Sequence, residues 1–218
     1  MTKKHTTHAR KRSAAAEPSP AEVQAIFALL GEGSTLAAEQ HARTLTLSYP
    51  RHGLGWKLLG ALLTQQNRPA EALPVMQQAA ALLPHDAEVH CNLGLVLQGQ
   101  GLLALAERHL DQARTLRPSL SDVHYNLGLV YEKQKRFAEA ADSYRQTIAL
   151  EPSYAEAYCN LGAALLELAD YRAAEQALRQ ALQLHPDLAE AYHNLGNVLS
   201  KVQRWEEAEH CYRHALQR

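Results

Sequence analysis

Apolar and small residues recur three and four positions apart along most of the chain. Between 121 and 154 one such set is His124, Leu127, Gly128 and Tyr131, a spacing that gathers side chains on one face of an α-helix. It predicts a helix from about Asp122 to Gln134 and a second from about Phe137 to Leu150. The same two-helix pattern recurs on either side. Leu-Gly stands at Leu59-Gly60, Leu93-Gly94, Leu127-Gly128, Leu161-Gly162 and Leu195-Gly196, in steps of 34 residues. Twelve residues after each glycine comes Ala72, Ala106, Ala140, Ala174 or Ala208, and twelve further on Pro84, Pro118, Pro152 or Pro186. Three markers that share one period without insertion define a repeat array.

Each marker has a physical reason. A glycine without a side chain lets the second helix come close, and Ala140 does the same from the other side. A proline cannot continue the second helix, so it fixes the turn into the next unit. One helix pair cannot bury its apolar face alone, so neighbours must stack. The expected fold class is therefore all-α, a solenoid of helix-turn-helix units at 53–86, 87–120, 121–154, 155–188 and 189–218. Residues 21–52 read as a worn capping unit, with Ala38 and Pro50 in phase but Ala25-Ile26 where Leu-Gly belongs. Atypical end units are expected, since one side faces water. At the other end Arg218 falls inside a second helix: either the array ends abruptly or a longer protein continues. This would expose Leu195, Val198, Leu199, Trp205, Tyr212 and Leu216 at least in part, a face suited to self-association.

Trp56, Leu59, Gly60 and Leu63, followed by Ala72, Met76, Ala79 and Pro84, resemble the tetratricopeptide-repeat signature, as do Tyr192, Leu195, Gly196, Ala208, Tyr212 and Ala215. The resemblance implies a right-handed α-solenoid, with the first helix of each unit on a concave wall that binds other polypeptides. His90 and His124 in place of the first aromatic, and Thr147 in place of alanine, depart from the pattern and should loosen packing.

Composition changes this picture little. The 218 residues are 46% hydrophobic and 21% charged, with a net charge of −1, which gives no overall pull toward nucleic acid or membrane. No apolar run approaches the roughly 18 residues of a membrane span. Residues 1–12 carry Lys3, Lys4, Arg10, Lys11 and Arg12 without an acid, and residues 1–20 read as a disordered basic tail and linker. Three widely spaced cysteines, Cys91, Cys159 and Cys211, argue against a disulfide framework and for a reducing, cytoplasmic location.

Candidate binding residues come from helical geometry. If Leu127, Gly128 and Tyr131 pack, Asn126 lies nearly opposite, flanked by Asp122, Leu129 and Lys133. Asparagine recurs there as Asn92, Asn126, Asn160 and Asn194. A carboxamide offers one acceptor and two donors, so such a ladder can hold the backbone of an extended peptide; asparagine also serves the ordinary consensus. Cys91, Tyr125, Cys159 and His193 share a neighbouring position, where Tyr125 and His193 add contacts or merely fill space. Glu88, Asp122, Glu156 and Glu190 open successive first helices. Negative charge suits the helix dipole there and would also favour polar or basic segments. The ladder is similar to that of the repeat domain of O-linked N-acetylglucosamine transferases, whose sugar-transfer residues lie in a catalytic domain that nothing in this chain matches. The carboxylate clamp of chaperone-tail binders matches Lys57 and Asn92 but fails at Ala61, Asp122 and Asn126.

Chemistry is not expected. His210 and His214 share a helix face, but a third ligand is missing. No phosphate loop, nucleophile elbow or CxxC is present. The chain reads as a binding scaffold without cofactor or metal, not an enzyme, with the front of a sugar transferase as the alternative.

Overall fold

The computed structural model describes residues 17–216, and among them every regular element is a helix. The basic residues Lys3 to Arg12 lie outside the described residues. The chain divides into two compact units, one up to Pro84 and one from His85. The first holds α1 (Pro20–Gly31), α2 (Thr35–Ser48), α3 (Gly53–Gln65) and α4 (Pro69–Leu82). The second holds α5 (Ala87–Gly99), α6 (Leu103–Leu116), α7 (Ser121–Lys133), α8 (Phe137–Leu150), α9 (Ala155–Glu167), α10 (Tyr171–Leu184), α11 (Ala189–Lys201) and α12 (Trp205–Leu216). Within each unit helices pair in order, and each second helix packs on the next first helix, which is the connectivity of an α-solenoid.

The turn inside each pair is the same six times. Its last residue but one is left-handed: Gly33, Asn67, Gly101, Lys135, Ala169 and Gln203 have φ between 54° and 75°. After α7, Lys135 N–H donates to Glu132 O (2.8 Å) and Arg136 N–H to Tyr131 O (2.8 Å). This is the Schellman closure, which satisfies carbonyls that a helix end leaves open. Only two of the six positions are glycine. The other four accept a conformation that costs an L-residue about 1–2 kcal/mol.

The core runs between the paired helices. Each Leu-Gly glycine faces a long side chain sixteen residues later: Met76, Leu110, Tyr144, Leu178 or Tyr212. A Cβ added to Gly94 would stand 2.6 Å from Leu110 Cγ, so any side chain there pushes the helices apart. The partner that demands glycine is thus this long residue, not the alanine of the second helix, although Ala72, Ala106, Ala140, Ala174 and Ala208 are also buried. Tyr144, wholly buried, donates its hydroxyl to Glu132 Oε2 at 2.8 Å.

Two expectations need correction. The histidines do not loosen the core. His124 Nε2 donates to Pro118 O (2.8 Å), as Trp56 Nε1 does to Pro50 O (3.0 Å). Buried His90 stacks on His109 with centroids 5.3 Å apart and Nδ1 atoms 3.1 Å apart. Wholly buried Thr147 donates to Ser143 O. Nor is the last pair open throughout: Leu195, Val198 and Leu199 are buried, whereas Trp205 and Leu216 are exposed. The apolar face of α11 is covered from both sides by α12 and α10.

Candidate functional site

In the second unit the first helices line one wall. α5 packs directly on α7 and α9 on α11, whereas second helices of successive pairs do not meet. The asparagine series sits in this wall, half-buried, but its side chains are not simply presented to solvent. Asn126 Nδ2 donates to Cys91 Sγ (3.5 Å), Asn160 Nδ2 to Tyr125 Oη (3.1 Å) and Asn194 Nδ2 to Cys159 Sγ (3.7 Å). Each of the three carboxamides is therefore tied to the preceding helix pair. The oxygen and second N–H of Asn126 and Asn194 remain as further bonding capacity, whereas Asn160 also hydrogen-bonds toward the Tyr144 phenol.

The residue before each asparagine sets the seam. Cys91 and Cys159 are small and buried, and α5/α7 and α9/α11 are the seams that close. Tyr125 stands at the seam between α7 and α9, which lie farther apart. Its ring stacks on Tyr154 (centroids 4.8 Å) and meets Tyr144 at a tilt (5.9 Å). The result is a cavity of about 240 Å³ lined by Tyr125, Leu129, Glu132, Glu156, Asn160 and Glu190. Burial raises the Tyr125 phenol, and the negative charges of Glu156 and Glu190 raise it further against the Asn160 hydrogen bond. Burial and the charge of Glu190 push the Cys159 thiol up to about 12. Cys91, buried above all, is pushed up to about 11. Such thiols are poor nucleophiles at neutral pH, and all three cysteines are free.

A second set of acids behaves differently. Arg136, held at the end of the Schellman turn, donates to Glu107 of the preceding pair (2.9 Å) and to Glu139 (2.8 Å). Arg68 bridges Glu39 and Glu71 in the same way, both at 2.7 Å, and Arg204 bridges Glu175 and Glu207. At the α7/α9 seam the equivalent residue is Asp170, which instead caps α10 by accepting from Ala173 N–H at 3.1 Å. This clamp alone does not close the first helices, because α1 and α3 stand apart beside Arg68.

Among the remaining candidates, Asp122, Lys133 and His193 are exposed, and none of them lines the cavity. His193 tilts against Tyr212 at 5.9 Å. His214 stacks on Tyr192 (4.9 Å), with His210 4.5 Å away. Among the described residues no group of three or more His, Cys, Asp or Glu is placed to hold a metal. No helix there is long and apolar enough to cross a membrane. Sequence reasoning missed the cavity's Glu132 and Leu188 and the arginine clamps. A 68-residue recurrence signals the clamps: Arg68, Arg136 and Arg204, with Glu39, Glu107 and Glu175.

Comparison with known proteins agrees with this architecture. Models of the tetratricopeptide repeat match residues 28–87, 121–154, 155–188 and 188–218. PilF of Pseudomonas aeruginosa is similar in structure with a TM-score of 0.75 at 22% identity, over 88% of this chain and 87% of that one. Cut9, from the hetero-tetramer Cut9-Hcn1 of APC/C, gives a TM-score of 0.77 at 20% identity, over 90% of this chain and 39% of its own. YrrB, a tetratricopeptide-repeat protein with an unusual peptide-binding site, gives 0.66 at 19% identity, over 81% and 91%. At these identities the likeness speaks for the fold. No curated protein matches the chain in sequence.

Proposed function

The chain belongs to the tetratricopeptide-repeat family, and from that premise we propose that it is a protein-interaction scaffold that holds a polypeptide segment against the wall formed by α5, α7, α9 and α11. The observation that carries this reading is the asparagine series. Three of its members are fixed in orientation by bonds to the preceding pair, and each keeps an oxygen, Asn126 and Asn194 also an N–H, for a partner's backbone. Preorganised polar groups of this kind bind without the entropy cost of ordering them on contact. Binding rather than catalysis also fits the chemistry of the wall, whose buried thiols are held protonated.

A reading as the substrate-gripping front of a sugar transferase rests on the same asparagines, and the family models that match the chain are those of the repeat. Self-association through Trp205 and Leu216, both exposed, is a secondary reading.

The test is selection of phage-displayed random dodecapeptides on the full chain, followed by affinity measurement on Asn126→Ala/Asn160→Ala. Circular dichroism confirms that the variant keeps its helices. The scaffold reading expects recovered peptides to lose at least tenfold in affinity. Peptides that bind the variant as tightly as the wild type would place binding elsewhere.

A further inference from the structure

We infer that the cavity at the α7/α9 seam is a receptor for an arginine side chain, so that the bound segment is basic at that point. This rests on the proposed groove and names its specificity. The cavity takes carboxylates from three successive first helices: Glu132 from the last turn of α7, Glu156 from the first turn of α9 and Glu190 from the first turn of α11.

Among the described residues neither Glu156 nor Glu190 has a cation within ion-pair distance, whereas Glu39, Glu71, Glu107, Glu139, Glu175 and Glu207 all do. Glu132 accepts only a neutral phenol, that of Tyr144. Helix dipoles account for one acid in each first turn. They do not account for Glu132, which sits at the opposite end of its helix.

The uncharged lining points to the same ligand. Tyr125 forms an aromatic wall whose ring is fixed by Tyr154 and whose hydroxyl is fixed by Asn160. Leu129 supplies apolar surface for an alkyl stem. A guanidinium is planar, stacks on aromatic rings and donates bidentately to carboxylates, which a compact ammonium does less well. The negative field is already felt by the wall, since Glu156 and Glu190 both raise the Tyr125 phenol. The α5/α7 and α9/α11 seams, with Cys91 and Cys159 in the place of Tyr125, are closed and do not offer this site.

The experiment uses the dodecapeptides selected above. Recovered sequences are expected to share an arginine. Changing it to glutamine, or changing the protein to Glu156→Gln/Glu190→Gln, should each weaken binding tenfold or more by fluorescence anisotropy, with helicity unchanged. The two changes combined should cost little more than either alone. Raising the salt to about 0.5 M, where the Debye length is short, should weaken the wild-type complex and hardly affect the glutamine one. Peptides that need Asn126 and Asn160 but carry no essential arginine and ignore Glu156→Gln/Glu190→Gln overturn this inference and leave the groove standing. Peptides indifferent to the asparagines, or no recovered peptide at all, overturn both.

Discussion

On the second helices and their turns, Glu39, Glu71, Glu107, Glu139, Glu175 and Glu207 each meet an arginine. On the first helices, Asp122, Glu156 and Glu190 meet none among the described residues, whereas Glu88 does, through Arg117 at 2.8 Å. The two sets are of one residue class on one repeat, so their difference is positional. The outer acids join a helix pair to its neighbour, and their fields cancel locally. The inner acids keep theirs, and the field is available to something outside the chain. A solenoid can in this way separate cohesion from recognition within a 34-residue unit.

The seams make the same contrast. Where Arg136 and Arg204 clamp, α5/α7 and α9/α11 are closed. Where Asp170 stands in the arginine's place and Tyr125 in the cysteine's, α7 and α9 part and a cavity forms.

The largest effect should come from what both kinds of seam share. Tyr144→Ala empties the space over Gly128, and by analogy with other buried aromatic truncations it should cost about 3–5 kcal/mol, read from urea unfolding. A cost below about 1 kcal/mol would mean that this packing does not hold the pair.

Acid should come next, and in the carboxylate range it should act on the clamps. Burial opposes ionisation of Glu39, but hydrogen bonds from Arg43, Gln66 and Arg68 hold it below its ordinary value. Hydrogen bonds from their arginines lower Glu71, Glu139 and Glu207. A folded-state value below the unfolded one gives stability that is fully present above the unfolded value, about 4.3 for Glu, and is lost as pH falls through the folded value. Solvent screening keeps each exposed pair small. The thermal midpoint should begin to fall as pH drops through the histidine range, because burial lowers His109 and the unfolded chain takes up that proton first, and should drop further through the carboxylate range, less steeply there in Arg136→Gln/Arg204→Gln. Equal slopes would remove the clamps from the account.

Converting the open seam into a closed one is a milder change. Tyr125→Cys removes the stack on Tyr154 and the bond to Asn160, a loss of about 1 kcal/mol, and should bring α7 and α9 together. A label distance between the two helices that does not shorten would contradict Tyr125 as the wedge. Smallest is Ala169→Gly, in the turn leading to Asp170. Relief of the left-handed strain exceeds the added unfolded-chain entropy by about 0.5 kcal/mol, so a rise in stability is expected. A loss would mean that Ala169 makes contacts worth more than its strain.

The helix pairs were legible because their markers repeat every 34 residues, and a strict period leaves the pairing no freedom. The expected helix over 122–134 is Ser121–Lys133, and the one over 137–150 agrees at both ends. The left-handed turn residue was hidden because Lys135, Ala169 and Gln203 carry no sign of it; the strain is absorbed by Schellman bonds that belong to the backbone. The seams were hidden for another reason. Their chemistry recurs every second unit, in Cys91 and Cys159, in Tyr125 and His193, and in the three arginines, so alignment at 34 residues averages it away. The asparagines were found at sequence level, but not that a sulfur or a phenol one pair back would claim an N–H of three of them. That contact depends on the rise from one pair to the next, which no single helix encodes.

The most direct test of the division between cohesion and recognition is a paired measurement on Glu156→Gln/Glu190→Gln and Glu139→Gln/Glu207→Gln, each assayed for affinity to a selected arginine peptide and for urea stability. The account predicts that the first variant loses affinity tenfold or more and keeps its unfolding midpoint. The second should keep its affinity and unfold at lower urea. The reverse pattern, or two variants that behave alike, would contradict it.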